Sequence, residues 1–574
     1  MNRYQNMLEQ KLSLLEKSFR EDGVFDNSEG NVESLCAAFV SVCDTNERAF
    51  VFRAAENTPE QAWKSACEKS AEFVRRYDYA PVWVKADVMV SRERIPFAEL
   101  QKRIAASRNE FFRRGIAFDD RLESALIEAE INGNRVISYK KHMLELPVLN
   151  EYLAECGLPT LAGFPEEVTL FDCESRFCDD SCAVFPLHGS GNRCGRRILG
   201  EFTDSTALEV ITTSAEYLSM QVRMDGRFEY GCYPIDHLEI PGYNILRHSS
   251  AIWSLICAYR LTGDRFTLNQ IIKAVGYMVG NTYRKYPERD GRENVVFLAD
   301  KTRSEIKVGG NALAVIMLTE FMSATGSDKY TKLCRELGNG ILEMFDQGDG
   351  SFWHVLEFPT LQRKEKFRTV YYDGEAVFAL CRLYGLTGEQ KWLDAAAVAA
   401  DRFIRERYEK YRDHWVAYSM NELTKYLPED RYLSFGLKNA NVNLRRIRGQ
   451  DTTYHTYLEL LCVTFEMYSR ITEQGLECGY LPEFRAEELV DTIFYRAEYM
   501  LNGYGYPEYV MYLKYPSAVL GAFFVRHDGY RIRIDDIQHF CSAYYSFYRN
   551  YGRLAALRES FGQEREVGEN GSGT

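Results

Sequence analysis

The sequence predicts a mainly α protein: a C-terminal set of six helical hairpins, preceded by a mixed α+β domain. Three observations carry this. Between Ser205 and Tyr551 twelve segments carry apolar residues at three-and-four spacing, the mark of a helix that buries one face. They span 205–222, 244–261, 265–283, 309–324, 328–346, 372–386, 389–408, 413–426, 430–440, 452–474, 486–503 and 535–551. Next, a turn signature recurs. Leu261-Thr262-Gly263-Asp264, Ala324-Thr325-Gly326-Ser327 and Leu386-Thr387-Gly388-Glu389 stand 63 and 62 residues apart. Each places a glycine where a helix ends in a left-handed cap and an acid or serine where the next one starts. A second echo, Asp225-Gly226-Arg227-Phe228 and Asp349-Gly350-Ser351-Phe352, reads as a turn entering a short extended segment. Finally, the unusual polar residues fall in the first turns of alternate helices.

Those first turns are Tyr243-Asn244-Ile245-Leu246-Arg247-His248, Gly309-Gly310-Asn311, Tyr371-Tyr372-Asp373-Gly374-Glu375, Arg412-Asp413-His414-Trp415, Thr452-Thr453-Tyr454-His455 and Arg533-Ile534-Asp535-Asp536-Ile537-Gln538-His539. Stacked hairpins of this kind form either an open solenoid or a closed toroid. Six hairpins with non-interchangeable signatures favour closure, which brings all six starts to one rim. In this the chain resembles the six-hairpin (α/α)6-toroid glycosidase-like superfamily, which includes unsaturated-uronyl hydrolases and sugar epimerases. The resemblance covers roughly 350 of the 574 residues and implies a carbohydrate-active enzyme.

The expected organisation is an amphipathic helix over 1–20, a mixed α+β domain over 21–200, the toroid over 201–557 and a disordered charged tail over 558–574. In the α+β part, Phe50–Phe52, Val82–Val90 and 168–171 read as strands, and 59–76, 96–115 and 119–132 as helices. A formal charge of −13 and pI near 5.4 exclude a nucleic-acid surface. The N-terminus lacks the apolar core of a secretory signal, and no run of about 18 apolar residues appears for a membrane span. Fifteen cysteines in no regular framework suit a reducing, cytoplasmic setting.

Phosphate-loop, dinucleotide, zinc-protease and serine-hydrolase motifs are absent in usable contexts, and no cofactor is expected. Cys173, Cys178, Cys182 and Cys194, with His188, offer zinc donors without paired Cys-x2-Cys knuckles, so free thiols are the favoured reading. A toroid similar to the lanthionine cyclases would need a Cys/Cys/His set, and none of Cys257, Cys334, Cys381, Cys462, Cys478 and Cys541 stands beside a histidine in the required manner.

The candidate catalytic residues are Asp413, Glu375, Asp373, Asp535, His248 and His414. Asp413 is the first choice as acid or base, with Glu375, Asp373 or Asp535 as its counterpart. Each has an ordinary structural role to set beside this: an N-cap for Asp413 and Asp373, a favourable helix-dipole position for Glu375, a satisfied buried site for His248. Candidate substrate-binding residues are Arg247, Tyr243, Tyr372, Trp415, His455, Tyr454, Gln538 and His539, with Arg247, His455 and Arg533 able to hold a uronate or to pair with neighbouring acids. A glycoside hydrolase acting on a saccharide is the leading expectation. The alternatives are a sugar epimerase or lyase, and a non-catalytic toroid whose N-terminal domain binds a protein partner in a biosynthetic complex.

Overall fold

The computed structural model describes residues 3–26, 35–107, 112–138, 140–285 and 294–571, with side chains through 563. Their contacts divide the chain into two compact units. One comprises Met1–Glu201, Cys232–Glu239 and Asn502–Ile532; the other comprises Phe202–Gly231, Ile240–Leu501 and Arg533–Thr574. Two stretches inside the span 201–557 therefore cluster with the first unit.

The first unit is built on an antiparallel sheet. Its strands β1 (Cys36–Cys43), β2 (Phe50–Glu56), β3 (Trp83–Pro96), β4 (Gly115–Ala117) and β7 (Glu167–Cys178) run in the order β2-β1-β3-β7-β4, with β8 (Val184–Leu187) paired to β7. A small hairpin, β5 (Ile137–Ser138) with β6 (Met143–Leu144), stands apart. The amphipathic α1 (Arg3–Glu21) and α2 (Pro59–Tyr77) bury Leu8, Leu15, Phe19, Trp63 and Val74 against Val40, Val84 and Val88. A second core joins α3 (Phe97–Ala106), α4 (Glu128–Gly133) and α5 (Leu146–Glu155) through Leu100, Ile104, Ile131, Leu149, Leu153 and Leu170.

Two helices expected here are shorter than their periodicity suggests. The first ends at Ala106, residues 108–111 lie outside the described residues, and Gly115–Ala117 pairs with β7 instead. The second gives way to a turn in which Asp119 accepts from the amides of Arg121, Glu123 and Ser124. A short polar acceptor offers the backbone a competitor to the helix ladder there.

The second unit contains all twelve helices read from the sequence. In hairpin pairs they are α6 (Asp204–Met220) and α7 (Ile245–Thr262), α8 (Arg265–Gly280) and α9 (Val308–Thr325), and α10 (Thr331–Glu343) and α11 (Tyr371–Thr387). Next come α12 (Gln390–Arg405) and α13 (His414–Leu423), then α14 (Asp430–Asn441), the short α15 (Leu444–Arg448) and α16 (Thr456–Gln474), and last α17 (Ala486–Met500) and α19 (Ile534–Gly571); α18 (Pro507–Val510) belongs to the first unit. Helices α7, α9, α11, α13, α16 and α19 each pack against the next, and α19 packs back onto α7. The ring is closed, so the open solenoid is excluded.

Burial follows from this. Helix α9 is buried on nearly every side, whereas α10 and α12 bury one stripe. By length and composition Val308–Thr325 is apolar enough to cross a membrane, but 78% of it is buried inside the structure; it is a wall of the ring.

The repeated turns have the geometry their residues foretold. Gly263, Gly326 and Gly388 cap α7, α9 and α11 at φ 63°, 71° and 68°. The Asp-Gly echoes are seats for outer helices: a Cβ on Gly226 would lie 2.2 Å from the Lys273 carbonyl oxygen of α8, and one on Gly350 would lie 2.7 Å from that of Val398 on α12. Helix α19 continues to Gly571 through the stretch expected as a disordered tail. Extending an existing helix needs no new nucleus, and Arg558 packs over Phe494 of α17.

Candidate active site

The starts of the inner helices form a rim above an aromatic floor. Trp253 of α7, Phe378 of α11, and Trp415 and Tyr418 of α13 contact one another, with Trp253 and Trp415 centroids 5.8 Å apart. Above Trp415 sits His414, whose ring lies 4.9 Å from that of His539 on α19, and His455 stacks on His539 at 4.9 Å and 11°. Glu459 of α16 ties the group together. Its Oε2 lies 2.8 Å from His539 Nδ1 and 3.8 Å from His414 Nε2, and its Oε1 accepts from the Tyr418 hydroxyl at 3.2 Å. Three successive inner helices thus bring three imidazoles and a carboxylate together.

Their environments pull these groups apart electrically. Burial pushes the His414 imidazole down to about 3 and lowers His455 as well. Burial also opposes charge on His539, but the adjoining Glu459 carboxylate outweighs it and raises the imidazole above its ordinary value. Neither ring nitrogen of the buried His414 has a hydrogen-bond partner within the protein, and His455 Nδ1 has none.

Two carboxyls share the rim. Asp413 caps α13, accepting from the Trp415 amide through Oδ1 at 2.9 Å, while its Oδ2 is buried without a partner. Burial pushes its pKa up to about 7 against that amide. Glu375 of α11 is held well above the carboxylate range by burial and then by Asp413 and Asp373, and its Oε2 is likewise unpartnered. The glycines opening α9 make room for it: a Cβ on Gly309 would lie 2.0 Å from Glu375 Oε2 and 2.6 Å from the Tyr372 ring. Tyr454 is 40% exposed and its hydroxyl meets that of Tyr371 at 3.4 Å.

Other residues read as site members are engaged within the fold. His248 is fully buried between α7 and α8; its Nε2 donates to the Ala274 carbonyl at 2.8 Å and its Nδ1 accepts from the Tyr243 hydroxyl at 2.7 Å. Burial drops it to about 4. It is a satisfied structural histidine, and Tyr243 is occupied in holding it. Asp373, two residues from Glu375, points the opposite way on its helix. It takes bonds from His354 at 3.1 Å and Tyr408 at 2.8 Å and does not cap α11. Gln538 is buried against Ser542. Trp415 belongs to the floor at 3% exposure, and Tyr372 fills the space beside Gly309. Asp535 is locked between two arginines: Arg247 Nε at 2.9 Å, and Arg533 Nε at 2.5 Å and Nη2 at 2.9 Å.

Glu459, Tyr418 and Trp253 were not among the sequence candidates. The available signal was Glu459 one helical turn beyond His455, since residues four apart share a face.

For metals, His414, Glu459 and His539 are the one group among the described residues whose donor atoms all lie within 4.8 Å of one another. Two imidazoles and a carboxylate are a donor set for a first-row cation; joined by a proton, as the 2.8 Å His539–Glu459 contact joins them, they are an acid–base relay. The cysteine cluster is divided: Cys173, Cys194 and His188 line one cavity with Asp87 and Glu128, whereas Cys178 and Cys182 pack in the core under α1. All fifteen cysteines are free thiols.

No protein-family model and no curated protein sequence matches the chain. Solved structures similar to it include a D-mannose isomerase (10% identity, 60% of this chain and 98% of that one, TM-score 0.45). A cellobiose 2-epimerase from Spirochaeta thermophila follows (12% identity, 62% and 98%, TM-score 0.45), as does an unsaturated glucuronyl hydrolase from Bacillus sp. GL1 (13% identity, 61% and 98%, TM-score 0.43). It is the closed ring of six hairpins in this chain itself that defines it as an (α/α)6 toroid.

Proposed function

We propose that this chain is a carbohydrate-active enzyme in which His414, His455, His539 and Glu459 move protons on a sugar, in an epimerase- or isomerase-type reaction. The observation that carries this reading is the convergence of three imidazoles and Glu459 over an aromatic floor. Sugar C–H faces pack on aromatic rings. One imidazole would take the proton from the carbon beside the carbonyl of an open-chain sugar, and a second would return it. The opposed environments of His414 and His539 support an assignment as base and acid. Glu459 would hold the acid charged and oriented, with Tyr418 fixing Glu459 in turn. Fifteen free thiols support a reducing, cytoplasmic setting.

A second reading, glycoside hydrolysis by Asp413 and Glu375, is favoured by one observation: each presents a buried oxygen with no protein partner. A single experiment separates the two. The protein is incubated in D2O with reducing and glycosidically linked sugars and followed by NMR. Deuterium entering beside the carbonyl, lost in His539→Asn and retained in Asp413→Asn, is the expected result. Released reducing ends that vanish in Asp413→Asn would establish the hydrolase instead. Silence with both, and a sugar panel that fails to bind, would leave the toroid as a non-catalytic scaffold.

A further inference from the structure

Most of the rim's arginines and lysines are already ion-paired within the chain, Arg412 being the exception among the described residues. Arg247 Nε lies 2.9 Å from Asp535, with Nη1 donating to the Tyr230 hydroxyl at 2.5 Å. Arg533 grips the same carboxylate through both Nε and Nη2 and reaches Asp536 at 3.5 Å. Arg368 holds Glu305 at 2.6 and 2.9 Å and Glu365 at 2.6 Å, and Lys307 holds Asp300 at 2.6 Å. The guanidinium forks of Arg533 and Arg368, which could grip a substrate carboxylate, are thus filled by carboxylates of the chain itself, and Arg247 shares the one that Arg533 grips. Meanwhile Asp413 Oδ2, Glu375 Oε2, His455 Nδ1, both ring nitrogens of His414 and Arg412 Nε are buried without hydrogen-bond partners. These groups include donors as well as acceptors, and sugar hydroxyls can serve both. An ionised substrate carboxylate only accepts, and it would add negative charge beside Asp535 and Asp536.

We propose, building on the saccharide reading above, that Asp535 makes this rim select neutral sugars over acidic ones, by occupying the Arg247–Arg533 fork that a uronate would need. Asp535 is therefore a specificity residue. It sits where a substrate carboxylate would sit, and only 12% of its side chain is exposed.

The test is binding, measured by ligand-observed NMR titration with glucose and with glucuronate at pH 7 and 0.15 M salt. Wild type is expected to hold glucose at least about tenfold more tightly than glucuronate. In Asp535→Asn, which keeps the side-chain shape and removes the charge, the ratio is expected to move toward glucuronate by about tenfold, and further at low salt. Equal wild-type affinities overturn the proposal whether or not the variant folds. So does an unchanged ratio in a variant with wild-type circular dichroism and Tm. Arg412, next to Asp413, makes no ion pair among the described residues; tight glucuronate binding that Arg412→Met abolishes would also overturn it. If neither sugar binds, the saccharide reading falls and takes this proposal with it. Intact sugar exchange without a neutral preference sinks this proposal alone.

Discussion

Asp413 offers a decisive measurement, because one oxygen caps a helix while the other is buried without a partner. The perturbation is Asp413→Asn. Asparagine caps helices as well as aspartate does, so the Trp415 amide keeps its acceptor and only the ionisation is removed. In the folded protein the carboxyl holds its proton up to about pH 7, whereas the unfolded chain releases it near 3.8. Between these values the unfolded state binds fewer protons, so stability falls as pH rises and levels off above about 7. A rise from 3.8 to about 7, at ~1.4 kcal/mol for each tenfold change in proton affinity, amounts to ~4 kcal/mol. The variant has no such dependence at this site. Its stability relative to wild type should therefore improve by ~4 kcal/mol from pH 4 to pH 8, whatever pH-independent cost the buried amide adds. Paired urea melts across that range, followed by tryptophan fluorescence, with Trp253, Trp353, Trp392 and Trp415 in the helical unit, measure the difference. Titrating groups remote from Asp413 cancel in the comparison, whereas Glu375, Asp373 and His539 interact with its charge. A difference that changes by less than about 1 kcal/mol would refute the buried, proton-holding Asp413.

Further expectations concern the histidines and the packing beneath them. His539 is raised above 6.5 by Glu459, so its contribution is complete below pH 6.5 and is lost as pH climbs through its folded value. Glu459→Gln should drop its NMR titration to 6.5 or lower and cut turnover by about 100-fold or more; an unmoved titration would break the pairing. His248→Ala should cost roughly 2–4 kcal/mol, by leaving the Tyr243 hydroxyl proton without its acceptor and opening a cavity, while sugar binding by the folded variant stays unchanged in the same NMR assay. Gly309→Ala should drive a methyl into Glu375 and Tyr372, costing about 1–3 kcal/mol in thermal melts; a neutral substitution would show that α11 yields.

The chain by itself determined the twelve helices, their left-handed glycine caps, and the rim as the place where polar groups collect. All of these are local. A helix announces itself through the spacing of its apolar face, a cap through one glycine, and Asp413 through its position one residue before α13. What only the tertiary structure decided was which polar residues face one another. His248 and His414 lie in the first turns of their helices, yet one is satisfied by Tyr243 and by a carbonyl of the neighbouring α8, while the other makes no hydrogen bond within the protein. Asp373 and Glu375 differ by two positions and so face opposite ways, one to His354 and Tyr408, the other to Gly309. Glu459 finds its partner in His539, 80 residues away, and Asp535 in Arg247 on the helix that closes the ring. A side chain's propensity is written in its neighbours along the chain; its partner, and with it its charge, is set by the closure of the ring, and no local pattern records that.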